Sequence, residues 1–277
     1  MKNKFFKFIL VAFALGLCSD NLFAQGTYLQ FNVGYGLGLG SQTISNSTSA
    51  NSGSGTTGTD EAVSLSFGKG VSAGGAIGYM FNNNLGAELG ISYLFGGKTE
   101  TKDVTVTTSG NSTRINTYSS KMVRINPSIV VAAGFDRINP YAKFGIIIGS
   151  GSILFESNEN NDGDIDVTNI KFSGGLALGI SSAFGIKFNV KEKLTFFTEL
   201  NTINLDYAPT KGELILATYN GVDLLPAMKT KDKQIEFVDT YNYSSSNPTP
   251  DSEPTKMLKE KMPFGSFGVN LGLILNF

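Results

Sequence analysis

From Phe267 to Phe277 the chain alternates with a period of two. Phe267, Val269, Leu271, Leu273, Leu275 and Phe277 fall on one face, and Ser266, Gly268, Asn270, Gly272, Ile274 and Asn276 on the other. Successive side chains of a strand point to opposite sides, so this is a strand with one oily face. Its second face is small or polar apart from Ile274.

The same rhythm recurs over residues 27–40, 62–81, 85–95, 121–135, 140–155, 170–188 and 194–208, which predicts eight strands in all. Three short connections, 82–84, 136–139 and 189–193, alternate with four long polar ones, 41–61, 96–120, 156–169 and 209–262. The first long segment is too polar to pack and too long for a hairpin turn. The second has the makings of an exposed hairpin with Ser109-Gly110-Asn111 as its tip. Two irregularities stand out. Pro127 removes a ladder donor from its strand. The apolar phase of the seventh strand flips at Ile203, Leu205 and Tyr207, which predicts a bulge or an exit from the apolar layer near Thr202.

Composition agrees with many strands and no membrane helix. Of 277 residues 41% are hydrophobic, yet mean hydropathy is only +0.01. Beyond the N-terminus no apolar run reaches the roughly 18 residues that a spanning helix needs. The N-terminus itself, with Lys2, Lys4 and Lys7 before the apolar stretch 8–17 and Leu22-Phe23-Ala24 after it, reads as a secretory signal peptide over residues 1–24. Cys18 admits a lipoprotein reading, against which Leu17 stands where a small residue is needed. Cleavage after Ala24 leaves residues 25–277 as one domain without cysteine and with a net charge of −3. Nothing in that balance suggests a nucleic-acid partner.

Strands with an oily outer face must pair all their backbone groups within the protein, and an antiparallel sheet does so by closing on itself. The expected fold is therefore all-β, an eight-stranded antiparallel up-and-down transmembrane barrel. Tyr28, Tyr79, Phe81, Phe135, Phe188, Phe196 and Phe277 would form the aromatic girdle at the short-turn end. Lys69, an outward lysine, would sit at headgroup level or turn inward at a bulge between Gly68 and Gly70. Eight strands leave an interior just wide enough for side chains. Glu88, Arg124, Lys143, Lys171, Lys187 and Glu199 all point into it, with Lys171 near the outer rim, so an ion-pair and hydrogen-bond plug that engages Gln30, Asn32 and Asn270 is expected. Its role is either to gate the lumen or simply to hold the barrel together.

The chain contains no histidine. Barrel-type lipases, deacylases and surface proteases use that residue as base or orienter, so no enzyme activity and no catalytic residue is expected. No metal site or cofactor is expected either. Residues 158–169 overlay loosely on a calcium loop, but Asn158 and Asn169 replace charged ligands at its two ends, and a solvated acidic loop is the better reading.

The strand–turn rhythm, the inward glutamate of LTFFTELN and the terminal NLGLILNF resemble the small bacterial outer-membrane β-barrel family that includes OmpX, OmpW and the OmpA transmembrane domain. The resemblance covers the whole mature chain. It implies short periplasmic turns, long extracellular loops, an outer-membrane location in a Gram-negative cell, and Phe277 as part of the signal read by the barrel-insertion machinery. It implies outer-membrane lipid as a partner and a monomer. Because the chain stops at Phe277, the peptidoglycan-binding role of OmpA is not carried over. The polar lumen face argues against the lateral passage of hydrophobic molecules associated with OmpW. Three functions stay open: a non-enzymatic, porin-like surface protein whose long loops serve adhesion, recognition or envelope structure, with a possible extracellular ligand; a narrow channel gated by lumen ion pairs; and a soluble lipocalin-like barrel, which the small, charged inward set disfavours.

Overall fold

The computed structural model describes residues 26–40, 42–52, 55–242 and 249–277. The expected signal peptide, with Cys18, lies outside them. In chain order the strands are β1 (Thr27–Gly38), β2 (Gln42–Ser52), β3 (Gly55–Leu65), β4 (Gly70–Met80), β5 (Leu85–Gly96), β6 (Thr99–Thr107), β7 (Gly110–Ala132), β8 (Ile138–Asn161), β9 (Asp164–Ser173), β10 (Ala177–Lys191), β11 (Leu194–Tyr207), β12 (Lys211–Tyr219), β13 (Val222–Asp223), β14 (Gln234–Val238), β15 (Thr255–Leu258), β16 (Met262–Pro263) and β17 (Ser266–Asn276). A 3-10 turn at Leu225–Ala227 and a one-turn helix α1 at Thr230–Lys233 complete the set. All seventeen strands join one mixed sheet, so the expected eight are only part of it.

The pairings of eight strands run in a ring. β1 pairs antiparallel with β4, β4 with β5, β5 with β7, β7 with β8, β8 with β10, β10 with β11, β11 with β17, and β17 again with β1. Residues 81–84, 133–137 and 192–193 connect ring strands at one end, and the long connections all leave from the other. Pro127 pairs with Leu89 on one side, but the β7–β8 ladder skips Asn126 and Pro127 on the other. A proline has no N–H to give there. Outside the ring, alternate residues such as Phe31, Val33, Ile91, Phe144, Leu178 and Leu271 are exposed.

Above the ring, on the long-connection side, the sheet continues as a wall. β7 and β8 run on past it to pair residue 112 with residue 161, β6 lies against β7, and β2 lies parallel to β6 with β3 outside it. On the other flank the order is β8, β9, β12, β14 and β15. The segments read as polar loops are thus largely strands. Residues 42–52 and 55–65 pair antiparallel along a full ladder, joined also by the Ser47 hydroxyl, which donates to Asp60 at 2.6 Å. The expected hairpin in 96–120 is present with its tip at residues 108–109. The acidic stretch 156–169 is a β8–β9 hairpin too, and in its turn the Gly163 amide donates to Asn160 at 2.9 Å. Asp162 accepts from the Asn111 amide at 2.7 Å, and Asp164 from Tyr219 and Asn220 at 2.9 Å each.

Two expected strands are each divided between ring and wall. The stretch 62–81 breaks at residues 66–69, where Lys69 follows a turn at Phe67 and Gly68 and lies outside the strands. Gly68 passes so close to the chain opposite that an added Cβ would lie 2.3 Å from the Phe264 carbonyl. The stretch 170–188 breaks at Gly174 and Gly175, both in left-handed conformations at φ +80° and +77° that glycine tolerates best.

Both breaks serve an apolar lid inside the wide end of the ring. Phe67 and Phe264 stack there at 5.5 Å between ring centroids, and Tyr207 meets Phe264 edge-on at 5.5 Å. Leu65, Leu94, Met122, Ile147, Ile153 and Leu205 complete the cluster. The bulge expected near Thr202 does not exist, because β11 keeps an unbroken register with both neighbours. Ile203, Leu205 and Tyr207 continue the inward parity of Glu199. What changes is the lumen, which turns from polar to apolar, while Asn204 and Asp206 face out.

Phe264→Ala should cost about 3–5 kcal/mol of stability, the usual range for emptying a buried aromatic site. Urea unfolding of the detergent-refolded protein reads it directly. A change under about 1 kcal/mol would mean that the lid does not pack the barrel.

Candidate functional site

The ring strands bring five charged side chains inside, and among the described residues these are the only buried ones: Glu88, Arg124, Lys143, Lys187 and Glu199. Each sits on the inward parity of its strand, which is why alternation alone located them. Lys171 is the exception. It was expected at the lumen rim, but it lies on β9, beyond the Gly174–Gly175 break, exposed on the wall and opposite Leu154 and Glu213.

At the short-turn end the Lys143 ammonium lies between two carboxylates, 3.0 Å from Glu88 Oε1 and 3.3 Å from Glu199 Oε2. It also donates to Gln30 Oε1 at 3.2 Å. The carboxylates also accept from further donors. Tyr28 donates to Glu88 Oε2 at 2.9 Å, Tyr141 to Glu199 Oε2 at 2.8 Å, and Asn270 Nδ2 to Glu199 Oε1 at 2.9 Å. Of the three amides expected in the plug, Gln30 and Asn270 therefore bond directly to it, and Asn32 lines the space above.

Among the described residues Lys187 forms no ion pair, contrary to the expected pairing of acids with bases. Its ammonium lies over the rings of Tyr28 and Tyr141, 5.1 and 5.0 Å from their centroids. Aromatic faces carry negative potential, so these two tyrosines serve both charges: hydroxyl to carboxylate, ring to lysine.

Tyr28 belongs to this floor and not to the interfacial girdle in which it was expected; it is 2% exposed. Its parity with Gln30 was the signal that pointed there. Room for the floor's rings comes from glycine directly across the ladder. Tyr28 faces Gly78, Tyr141 faces Gly185 and Phe197 faces Gly272. A Cβ at those glycines would lie 2.1, 2.7 and 2.5 Å from the respective rings. These three inward glycines are therefore the complement of the floor aromatics.

Between floor and lid lies a cavity of about 100 Å³. Arg124 lines it with Asn126, Ser72, Ser92 and Ser181. Nothing in this interior resembles a nucleophile–base pair, and no cluster of three metal-ligating side chains occurs among the described residues. What the arrangement can do is block passage and hold a small polar guest. Phe277 lies outside the ring, exposed, with its amide donating to the Thr27 carbonyl at 3.2 Å where β17 meets β1.

Lys143→Met should cost about 3–5 kcal/mol, because it leaves two carboxylates buried without their cation. Glu199→Gln should cost clearly less, since Lys143 keeps Glu88. Equal losses in the two variants, measured by chemical unfolding, would show that the floor is not organised around Lys143.

A family model described as outer membrane protein beta-barrel domain matches residues 9–225. No curated protein matches the chain.

Proposed function

The chain belongs to the outer membrane protein beta-barrel domain family, and from that premise we propose that it is a non-enzymatic surface protein whose barrel holds a recognition wall outside the cell. The eight-strand ring is the transmembrane part, and the exposed apolar girth of Phe31, Ile91, Phe144 and Leu271 is what outer-membrane lipid covers. On this reading the three short connections and both termini face the periplasm, following a cleaved signal peptide, and the terminal Phe277 is presented to the insertion machinery. The barrel acts as a monomer, since its ring needs no second chain to complete the ladder.

The observation that carries the reading is the open edge of the wall. β3 has β2 as its one strand neighbour, β15 has β14, and among the described residues no pairing joins the two flanks. A bare strand edge is a template for another chain's backbone, and natural proteins rarely leave one long and exposed without using or blunting it. Residues 55–62 are exposed along their whole length. Adding an extended segment of a partner along β3 would supply main-chain hydrogen bonds, with specificity left to the Thr and Asp side chains beside it. The channel reading has less support, because floor and lid obstruct the lumen at two heights.

Deleting residues 45–62 and joining the ends with a short glycine linker should leave a folded barrel and abolish attachment of expressing cells to a protein-coated surface. Attachment that survives this deletion would remove the β3 edge from the account.

A further inference from the structure

Arg124 is 4% exposed and its Nε has no hydrogen-bond partner. Neither lumen ion pair includes it. The four carboxylate oxygens of the floor accept from Lys143, Tyr28, Tyr141 or Asn270, and none of them accepts from Arg124. A guanidinium keeps its charge under all ordinary conditions, so it cannot escape burial by losing a proton. Its donors must be met by what fills the cavity it lines.

The charge balance says what kind of guest that is. The buried set holds three cations, Arg124, Lys143 and Lys187, against two carboxylates, Glu88 and Glu199. One positive charge is left over in the barrel interior as a whole, with Lys187 on the short-turn side of the floor and Arg124 on the cavity side. The groups nearest Arg124 on the cavity wall can donate. Ser92 lies directly across the ladder from Arg124, and Asn126 is its next neighbour on the inward face of β7. The Asn126 Oδ1 already accepts from Ser181 at 3.0 Å, which leaves its Nδ2 group to donate. Volume sets the size. The cavity of about 100 Å³ has room for a halide or nitrate together with water.

We propose that the lumen binds one small monovalent inorganic anion between Arg124 and Asn126, in the cavity between the floor and the lid. The site neutralises the barrel interior. Other charges facing the cavity, Lys143 with Glu88 and Glu199, are already paired with one another.

The test uses the full mature chain refolded in detergent, in sodium chloride, bromide or nitrate against sodium gluconate at equal ionic strength. The unfolding midpoint should be higher in the small anions by about 3–6 °C, the size expected for a ligand held well above its dissociation constant. Crystals grown in bromide should show one anomalous peak within hydrogen-bond distance of the Arg124 guanidinium. Arg124→Gln should lose both the anion-dependent shift and the peak. Equal midpoints of the parent protein in all four salts overturn the proposal whether or not the variant folds, and assign the cavity to water. A bromide peak without any shift in solution is an adventitious ion only and overturns it equally. A shift that persists undiminished in a folded Arg124→Gln protein places the anion elsewhere and does the same.

Discussion

A backbone amide that faces hydrocarbon has no water to bond, so its partner must be another strand, and everything else in this protein follows from that requirement. One open ladder edge within the membrane would cost several kcal/mol for each unpaired group. The β1–β17 seam removes the edge: its eleven residue pairs tie the first ring strand to the last. Closure with eight strands then sets the bore, and the bore sets the chemistry inside. A lumen that narrow must be filled by side chains, and those that fill it must satisfy one another.

The filling has an order along the axis. At the short-turn end charges predominate, organised by Lys143 and by two tyrosines whose hydroxyls and ring faces serve opposite signs. Glycines across the ladder admit the bulky rings. In the middle the side chains are short and polar and leave a cavity beside Arg124. At the wide end the lumen is apolar, closed by Phe67 and Phe264, which arrive not from ring strands but from the connections that dip back into the barrel. The lid therefore links the wall to the barrel: the segments that cap the lumen are those that lead from β3 into β4 and from β16 into β17.

Period-two alternation made the ring legible from the sequence alone, since the oily outer face forces the parity of every inward residue. Glu88, Lys143 and Glu199 were found that way, and so was their mutual pairing. Tyr28 carried the same signal, but an aromatic near a strand end reads equally well as an interfacial anchor. The wall strands β2 and β3 left no such mark, because a strand exposed on both faces has no hydrophobic period, and Ser- and Thr-rich sequence reads as loop. The lid was hidden by a change of context. Ile203, Leu205 and Tyr207 look like a phase slip when the lumen is assumed to be polar throughout, and like unbroken parity once its upper third is known to be apolar. Lys171 was misplaced because two glycines at positive φ end one strand and begin another within an alternation that otherwise runs on.

The central claim is a barrel closed at both heights of its lumen. Single-channel recording of the refolded mature protein in planar bilayers, with folding verified on the same sample, tests it most directly. The floor around Lys143 and the lid around Phe264 predict silence, with no discrete steps at moderate voltage. Reproducible unitary conductance from the folded parent protein would contradict the account, because ions would then be crossing a lumen that these residues are held to obstruct.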